Sequence, residues 1–166
     1  MELNSIRLPA SVLADLYKDT LVEPVNEHKI IPVEDTKELI FLGSNKKNIL
    51  ICVKYPSVPH IPEEQLSFLV TMLSACKLSL EDIAIVNLKN FTGESYKKII
   101  SKFQPALSFL FGIEPSEFGL PVNFPAFQLQ AFNNCSFLYT PSLDELESDK
   151  LLKSKLWVCL RKIFSI

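Results

Sequence analysis

The sequence is poor in the residues on which many catalytic and phosphate-binding motifs depend. It contains four glycines, two histidines and one tryptophan in 166 residues. With so few glycines it has no P-loop, no G-x-G-x-x-G turn and no G-x-S-x-G motif around a nucleophilic serine. His28 and His60 have no second metal ligand three or four positions away. We therefore expect no metal ion, no cofactor and no catalytic residues, and a protein that is not an enzyme.

Charge of one sign is not in excess either. The chain has 17 basic and 19 acidic side chains, a formal net charge of −2. Proteins that bind duplex DNA through its phosphates usually have a basic excess or a basic face. Adjacent carboxylates such as Glu63–Glu64 and Asp144–Glu145 fall at predicted helix starts, where the helix dipole stabilises negative charge. Direct binding of duplex DNA is therefore not favoured, although a local basic face near the C-terminus stays open.

The cysteines are few and isolated. No two of Cys52, Cys76, Cys135 and Cys159 are closer than 24 positions, which fits neither a metal knuckle nor a redox pair. Each lies in an apolar run, which is typical of a buried thiol in a reducing compartment. The N-terminus has an acidic residue and no long apolar stretch, and no apolar run reaches the roughly 18 residues that cross a bilayer. We expect a cytoplasmic protein without membrane contact.

What the sequence does contain is an alternation of apolar strands with amphipathic helices. Nearly continuous apolar runs at residues 49–53, 82–88 and 106–111 are typical of strands covered on both faces. Helical spacing separates them, so the pattern predicts βαβ units. A strand is predicted at 38–42, a hairpin at 126–132 and 135–140 at a sheet edge, and one closing helix at 142–164 that Ser142 and Glu145 cap. The predicted fold is α/β: a three-layer α/β/α sandwich with a mostly parallel central sheet, spanning residues 26–166.

Residues 1–25 are predicted to form a separate amphipathic segment. Apolar side chains recur there at helical spacing, while Asp15, Lys18 and Asp19 take the opposite face. The apolar positions are Val12, Leu13, Leu16 and Tyr17. Two interpretations stay open, an ordinary helix packed on its own sheet and a helix that binds a partner protein.

From residue 49 onward the order of elements is similar to the uracil-DNA glycosylase-like fold. In that family the loop after the first sheet strand holds a water-activating acid or amide, and a late strand leads into a His-Pro-Ser loop. Here no Asp or Asn occurs between Tyr55 and Pro62, and Thr140 stands where the histidine would be, before Pro141 and Ser142. The resemblance implies that base excision is lost and that a vestigial pocket remains beside Tyr55, Asn123, Thr140 and Ser142.

The chain also resembles the psi subunit of bacterial DNA polymerase III, a non-catalytic relative of that fold. The resemblance covers most of the chain in element order. It lies in residues 16–24, in the apolar strand at 49–53, in the Leu-Ser-Leu-Glu-Asp-Ile turn at 78–83, and in Pro141-Ser142-Leu143 with the basic C-terminal helix that follows, from Lys155-Leu156-Trp157 to Leu-Arg-Lys-Ile-Phe. It implies a protein that bridges components of the replication clamp loader, with the N-terminal segment gripping the loader. By this analogy Val12, Leu13, Leu16 and Tyr17 bind a partner.

Trp157 is a second candidate for partner binding, because it lies one position off the apolar stripe of the closing helix and tryptophan is enriched at the centres of interfaces. The leading hypothesis is thus a non-catalytic interaction subunit with protein partners. One alternative is a degenerate DNA glycosylase-like protein that binds damaged DNA. Another is a domain that self-associates through an edge strand near residues 126–132.

Overall fold

Six strands and five α-helices make up residues 40–89 and 96–166, the part of the chain that the computed structural model describes. The strands are β1 (Phe41–Gly43), β2 (Ile49–Val53), β3 (Ile83–Asn87), β4 (Leu107–Phe111), β5 (Leu129–Phe132) and β6 (Cys135–Thr140). The helices are α1 (Glu63–Ala75), α2 (Tyr96–Phe103), α3 (Pro115–Phe118), α4 (Leu143–Ser148) and α5 (Lys150–Phe164), and a 3₁₀ turn at Leu80–Asp82 precedes β3. The predicted α/β class is confirmed.

The strands form one mixed sheet in the order β1-β3-β2-β4-β6-β5. The inner four strands are parallel, whereas β1 and β5 pair antiparallel with their neighbours at the two edges. The predicted hairpin is the β5–β6 pair, joined by Asn133 and Asn134, both with positive φ. Asparagine tolerates that conformation, so this dipeptide suits a two-residue hairpin turn. The parallel centre of the sheet and the hairpin at its edge both follow the prediction.

Apolar side chains cover both faces of the central strands. Along β2, Ile49, Ile51 and Val53 belong to one buried cluster, and Leu50 and Cys52 to another. Successive side chains of a strand point to opposite faces, so the two clusters lie on opposite sides of the sheet. The first cluster also contains buried residues of α1, α4 and α5, and the second contains buried residues of α2 and α3.

The four cysteines are divided between the same two apolar clusters, on opposite faces of the sheet. Cys52, Cys76 and Cys135 are buried and Cys159 is half-buried, and all four are free. Burial raises the pKa of Cys135 to about 12, and it also raises the pKa of Cys52. A thiol that keeps its proton is a weak nucleophile, so these cysteines serve as small apolar core residues.

The single closing helix predicted at residues 142–164 is wrong, because Asp149 divides it into α4 and α5. Asp149 has extended backbone angles, φ −112° and ψ 113°, and its carboxylate accepts hydrogen bonds from the N–H groups of Leu151 and Leu152. A side chain that satisfies free N–H groups favours the start of a new helix. The predicted cap of the first helix is confirmed, since Ser142 and Glu145 form a reciprocal capping box.

β1 is held to the sheet through the turn that follows it. Gly43 has φ +105°, and a Cβ atom there would lie 2.2 Å from the carbonyl oxygen of Ile83. The N–H groups of Asn45, Lys46 and Lys47 donate to carbonyl oxygens of residues 81–83. The strand was predicted at 38–42, of which residues 38 and 39 lie outside the described residues. This edge therefore depends on a close approach of two backbones that glycine alone allows.

We expect Gly43→Ala to lower the free energy of unfolding by roughly 2–4 kcal/mol, because the added methyl group meets backbone atoms and the positive φ disfavours alanine. Urea denaturation followed by circular dichroism measures this change. Lys46→Ala is the control, since its ion pair with Glu81 is exposed and we expect little change. Equal stability of Gly43→Ala and the unchanged protein would contradict the described turn.

Candidate functional site

The carboxyl ends of the parallel strands are the first place to look for a site. β2 has β3 on one side and β4 on the other, so the connections that leave β2 and β4 run to opposite faces of the sheet. In open α/β sheets ligands bind in the crevice outside the strand ends where the order reverses in this way. Here that crevice lies between Lys54, which follows β2, and Gly112, which follows β4.

An ion pair joins the two sides of this crevice. The ammonium group of Lys54 binds the carboxylate of Glu117, which lies on α3 in the connection after β4. Each side chain is about half exposed, so the pair is screened by water and contributes little to stability. Each charge nevertheless has a partner of opposite sign across the crevice.

Tyr55, the next residue, is bound to α4. Its hydroxyl donates to Asp144 at 3.0 Å, and Nε2 of the buried Gln65 on α1 donates to the second oxygen of the same carboxylate at 2.6 Å. Burial, and then the hydrogen bond to Asp144 and its charge, raise the pKa of Tyr55 well above its ordinary value. A phenol that keeps its proton is a hydrogen-bond donor and not a base. Through its hydrogen bond to Asp144, Tyr55 connects the loop after β2 to α4.

Asn87 at the end of β3 holds the loop after β2 in place. Its Nδ2 donates to the carbonyl oxygens of Tyr55 and Val58, both at 2.8 Å. Its Oδ1 accepts from the N–H groups of Tyr55 at 3.0 Å and Lys89 at 3.2 Å. These four bonds use all the donors and lone pairs of the amide, and the side chain is 6% exposed. The sequence placed Asn87 at this edge but gave no sign of this role.

The four residues of the predicted vestigial pocket have different surroundings. Thr140 is fully buried and its hydroxyl donates to the carbonyl oxygen of Pro141, while Ser142 caps α4 and Tyr55 binds Asp144. Asn123 is exposed and lines a cavity of about 380 Å³ to which none of the other three contributes. Its other lining residues are Glu114, Pro115, Phe124, Pro125 and Tyr139. A shared base-binding pocket stays a prediction.

The charge around this cavity is negative. Burial, followed by the negative charges of Glu114, Glu145 and Glu117, raises the pKa of the Tyr139 phenol. Carboxylates close enough to affect a phenol in this way also repel the phosphates of a nucleic acid. The carboxylates around this cavity therefore disfavour DNA there.

Trp157 lies in a different place, an apolar groove between α1 and α5. The groove has a volume of about 630 Å³, and the tryptophan side chain is 36% exposed. Its lining residues are Phe68, Thr71, Met72 and Ala75 of α1 and Lys150, Lys153, Ser154, Leu156, Trp157, Val158 and Leu160 of α5. Sequence reasoning selected Trp157 but missed the α1 side, for which the only signal was a pair of apolar residues, Phe68 and Met72, off the buried stripe of that helix.

The groove has basic residues at one end. Lys150 and Lys153 are the charged residues among its lining, and no acidic side chain is present there. The ammonium group of Lys153 lies 5.2 Å from the centroid of the Phe68 ring, within the range of a cation–π contact. An apolar floor beside basic side chains is suited to an amphipathic ligand with negative charge.

The remaining site predictions fall partly outside the structure. Val12, Leu13, Leu16 and Tyr17 lie outside the described residues. Within residues 40–89 and 96–166, no group of three His, Cys, Asp or Glu side chains is placed to hold a metal ion. In the same part of the chain, none of the helices has the length and apolar character that a bilayer crossing requires.

The chain matches no protein-family model, and no curated protein is significantly similar to it in sequence.

We expect Asn87→Ala to lower the free energy of unfolding by roughly 2–4 kcal/mol, because backbone groups of the β2 loop lose their hydrogen-bond partner in a buried place. Chemical denaturation measures the change. The matched control is Asn123→Ala, since that asparagine is exposed and a change within about 0.5 kcal/mol is expected. If both variants unfold alike, Asn87 does not hold the loop.

Proposed function

We propose that this chain is a non-catalytic protein-interaction subunit. The observation that carries the proposal is the open apolar groove between α1 and α5, which contains the only tryptophan of the chain. Covering apolar surface of this kind releases free energy, and tryptophan is one of the three residue types that are enriched at the hot spots of protein interfaces.

The crevice at the strand ends supports the same function, because its polar side chains already have partners within the protein. Lys54 is bound to Glu117, Tyr55 to Asp144, and Asn87 to backbone groups of the β2 loop. A catalytic site needs a nucleophile, base or acid within reach of a substrate, whereas these side chains use their bonding groups to hold the surrounding loops. Binding between proteins therefore agrees better with the described residues than catalysis at this edge.

At the level of the fold, we infer a three-layer sandwich of the uracil-DNA glycosylase-like type. Two features support it: the parallel strand order β3-β2-β4-β6, and the helices whose buried residues join a cluster on each face of the sheet. Thr140, in the place of the catalytic histidine of that family, is buried and binds its own neighbour Pro141. This is the behaviour of a structural residue.

A role in replication extends the proposal. The resemblance to the psi subunit of DNA polymerase III includes residues 16–24, 49–53, 78–83 and 141–143 and the basic C-terminal helix, which contains Trp157. On this model residues 1–25 bind the clamp loader, and the folded domain binds a second protein. Two binding regions on one chain would make it a bridge in the cytoplasm.

Binding of damaged DNA is the second candidate function, and one observation favours it. The cavity beside Asn123 brings together Phe124 and Tyr139, an amide and two rings of the kind that hold a flipped base. The carboxylates around this cavity oppose the binding of DNA, because they repel its phosphates. We therefore expect no measurable affinity for abasic or uracil-containing oligonucleotides at physiological salt, and binding that Asn123→Ala abolishes would reverse the order of the two candidates.

The bridging function is tested by affinity capture from an extract of the source cell. We expect the tagged full chain to recover clamp-loader subunits together with a second protein. A chain without residues 1–22 is expected to lose the clamp loader and keep the second protein. The Trp157→Ala chain is expected to keep the clamp loader and lose the second protein.

Recovery of the same proteins by all three chains would contradict the proposed division into two binding regions. If no component of the replication machinery is recovered, the psi resemblance does not extend beyond the fold. Thermal unfolding of each variant shows whether a loss of capture reflects a loss of structure.

A further inference from the structure

We propose that the groove between α1 and α5 binds the apolar face of an amphipathic helix whose polar face is acidic. The inference rests on the proposed function, because it states the chemistry of the partner that the groove would take. It concerns the folded domain alone and does not depend on residues 1–25.

The shape of the groove favours a helix. On α1 the lining residues, Phe68, Thr71, Met72 and Ala75, recur at spacings of three and one, so they lie along one side of that helix. On α5 they extend from Lys150 to Leu160, about 15 Å at the rise of an α-helix, or three turns. A trough between two helices takes a third helix that buries residues at i, i+3, i+4 and i+7.

The charge of the groove selects the polar face of the partner. α5 carries five basic residues and no acidic one, and α1 has no charged residue after Glu64. Lys150 and Lys153 lie in the lining itself, and a docked helix would remove part of their hydration. Carboxylates at the edge of its apolar stripe compensate for that loss, whereas lysine or arginine there would be repelled.

Other occupants agree less well with the described residues. A bilayer surface is flat, whereas this apolar surface is a groove between two helices. A single nucleic-acid strand needs basic residues along its whole path, and here Lys150 and Lys153 are confined to one end, with Ala75, Val158 and Leu160 elsewhere. A second copy of the chain is the remaining occupant, and the experiment separates it.

The test is selection from a displayed library of helices of about 15 residues, the length that matches the groove. Leucine is fixed at the i, i+3, i+4 and i+7 positions, and the flanking positions vary among Glu, Lys, Gln and Ser. The intact chain is the target, and the Trp157→Ala variant, which leaves the charge of the groove unchanged, removes helices that bind elsewhere. We expect the selected helices to be enriched in Glu over Lys at the positions beside the leucine stripe.

Trp157 then reports the binding directly, because it is the only tryptophan. A selected peptide without tryptophan is expected to shift its emission to shorter wavelength and to protect it from acrylamide. The double variant Lys150→Glu, Lys153→Glu is expected to bind the acidic peptide about tenfold more weakly or worse. Lys97→Glu on α2, a helix of the opposite face, is the matched control and is expected to bind normally.

Enrichment in Lys, or no enrichment over the counter-selection, overturns the inference. So does a shift of Trp157 emission with protein concentration alone, which assigns the groove to a second copy, or a shift with anionic vesicles or single-stranded DNA in the absence of any peptide response. The proposed function fails separately, when Trp157→Ala captures the same proteins from an extract as the unchanged chain does.

Discussion

Burial of the central strands on both faces is the constraint on which the rest of this structure depends. Every residue of β2, β3 and β4 is buried, so their polar backbone groups are satisfied along the sheet and their side chains need helices on each side. Parallel strands also end at one edge, which brings the loops after Val53, Asn87 and Phe111 together. The position of the crevice, its hydrogen bonds and the helices that cover the faces all follow from this arrangement.

The strand-end edge and the outer side of α1 and α5 are two surfaces of this domain. They differ in how many of their side chains already have partners within the protein. At the strand ends, Asn87 binds backbone groups of three residues and Asp144 accepts from two side chains, so the loops are held by internal hydrogen bonds. On the outer side of α1 and α5 the opposite holds, because side chains such as Trp157 and Val158 extend away from the core and are 36% and 57% exposed. In this domain the polar groups of the strand-end edge bind one another, while the exposed apolar surface of Trp157 and Val158 lies on a helix.

Features set by neighbouring residues were predictable from the sequence, and features set by distant ones were not. Apolar runs located β2, β3 and β4, the Asn133–Asn134 pair indicated the hairpin, and Ser142 with Glu145 indicated a helix start. The break at Asp149 was missed because an aspartate inside a helical pattern is ordinary until its carboxylate is seen on Leu151 and Leu152. The groove was missed because α1 and α5 meet only if both cover the same face of the sheet. The strand order decides which helices cover which face, and the sequence does not show that order.

The pairing of β1 with β3 rather than with β2 has a consequence for how the chain folds during its synthesis. β1 begins at residue 41 and its partner at residue 83, so the ribosome adds about 40 residues before the first strand finds its neighbour, a delay of about 2–8 s. The Phe103 ring, which packs edge-on against Phe41, is made later still. On the nascent chain β1 therefore waits for its partner in the sheet far longer than hairpin formation takes.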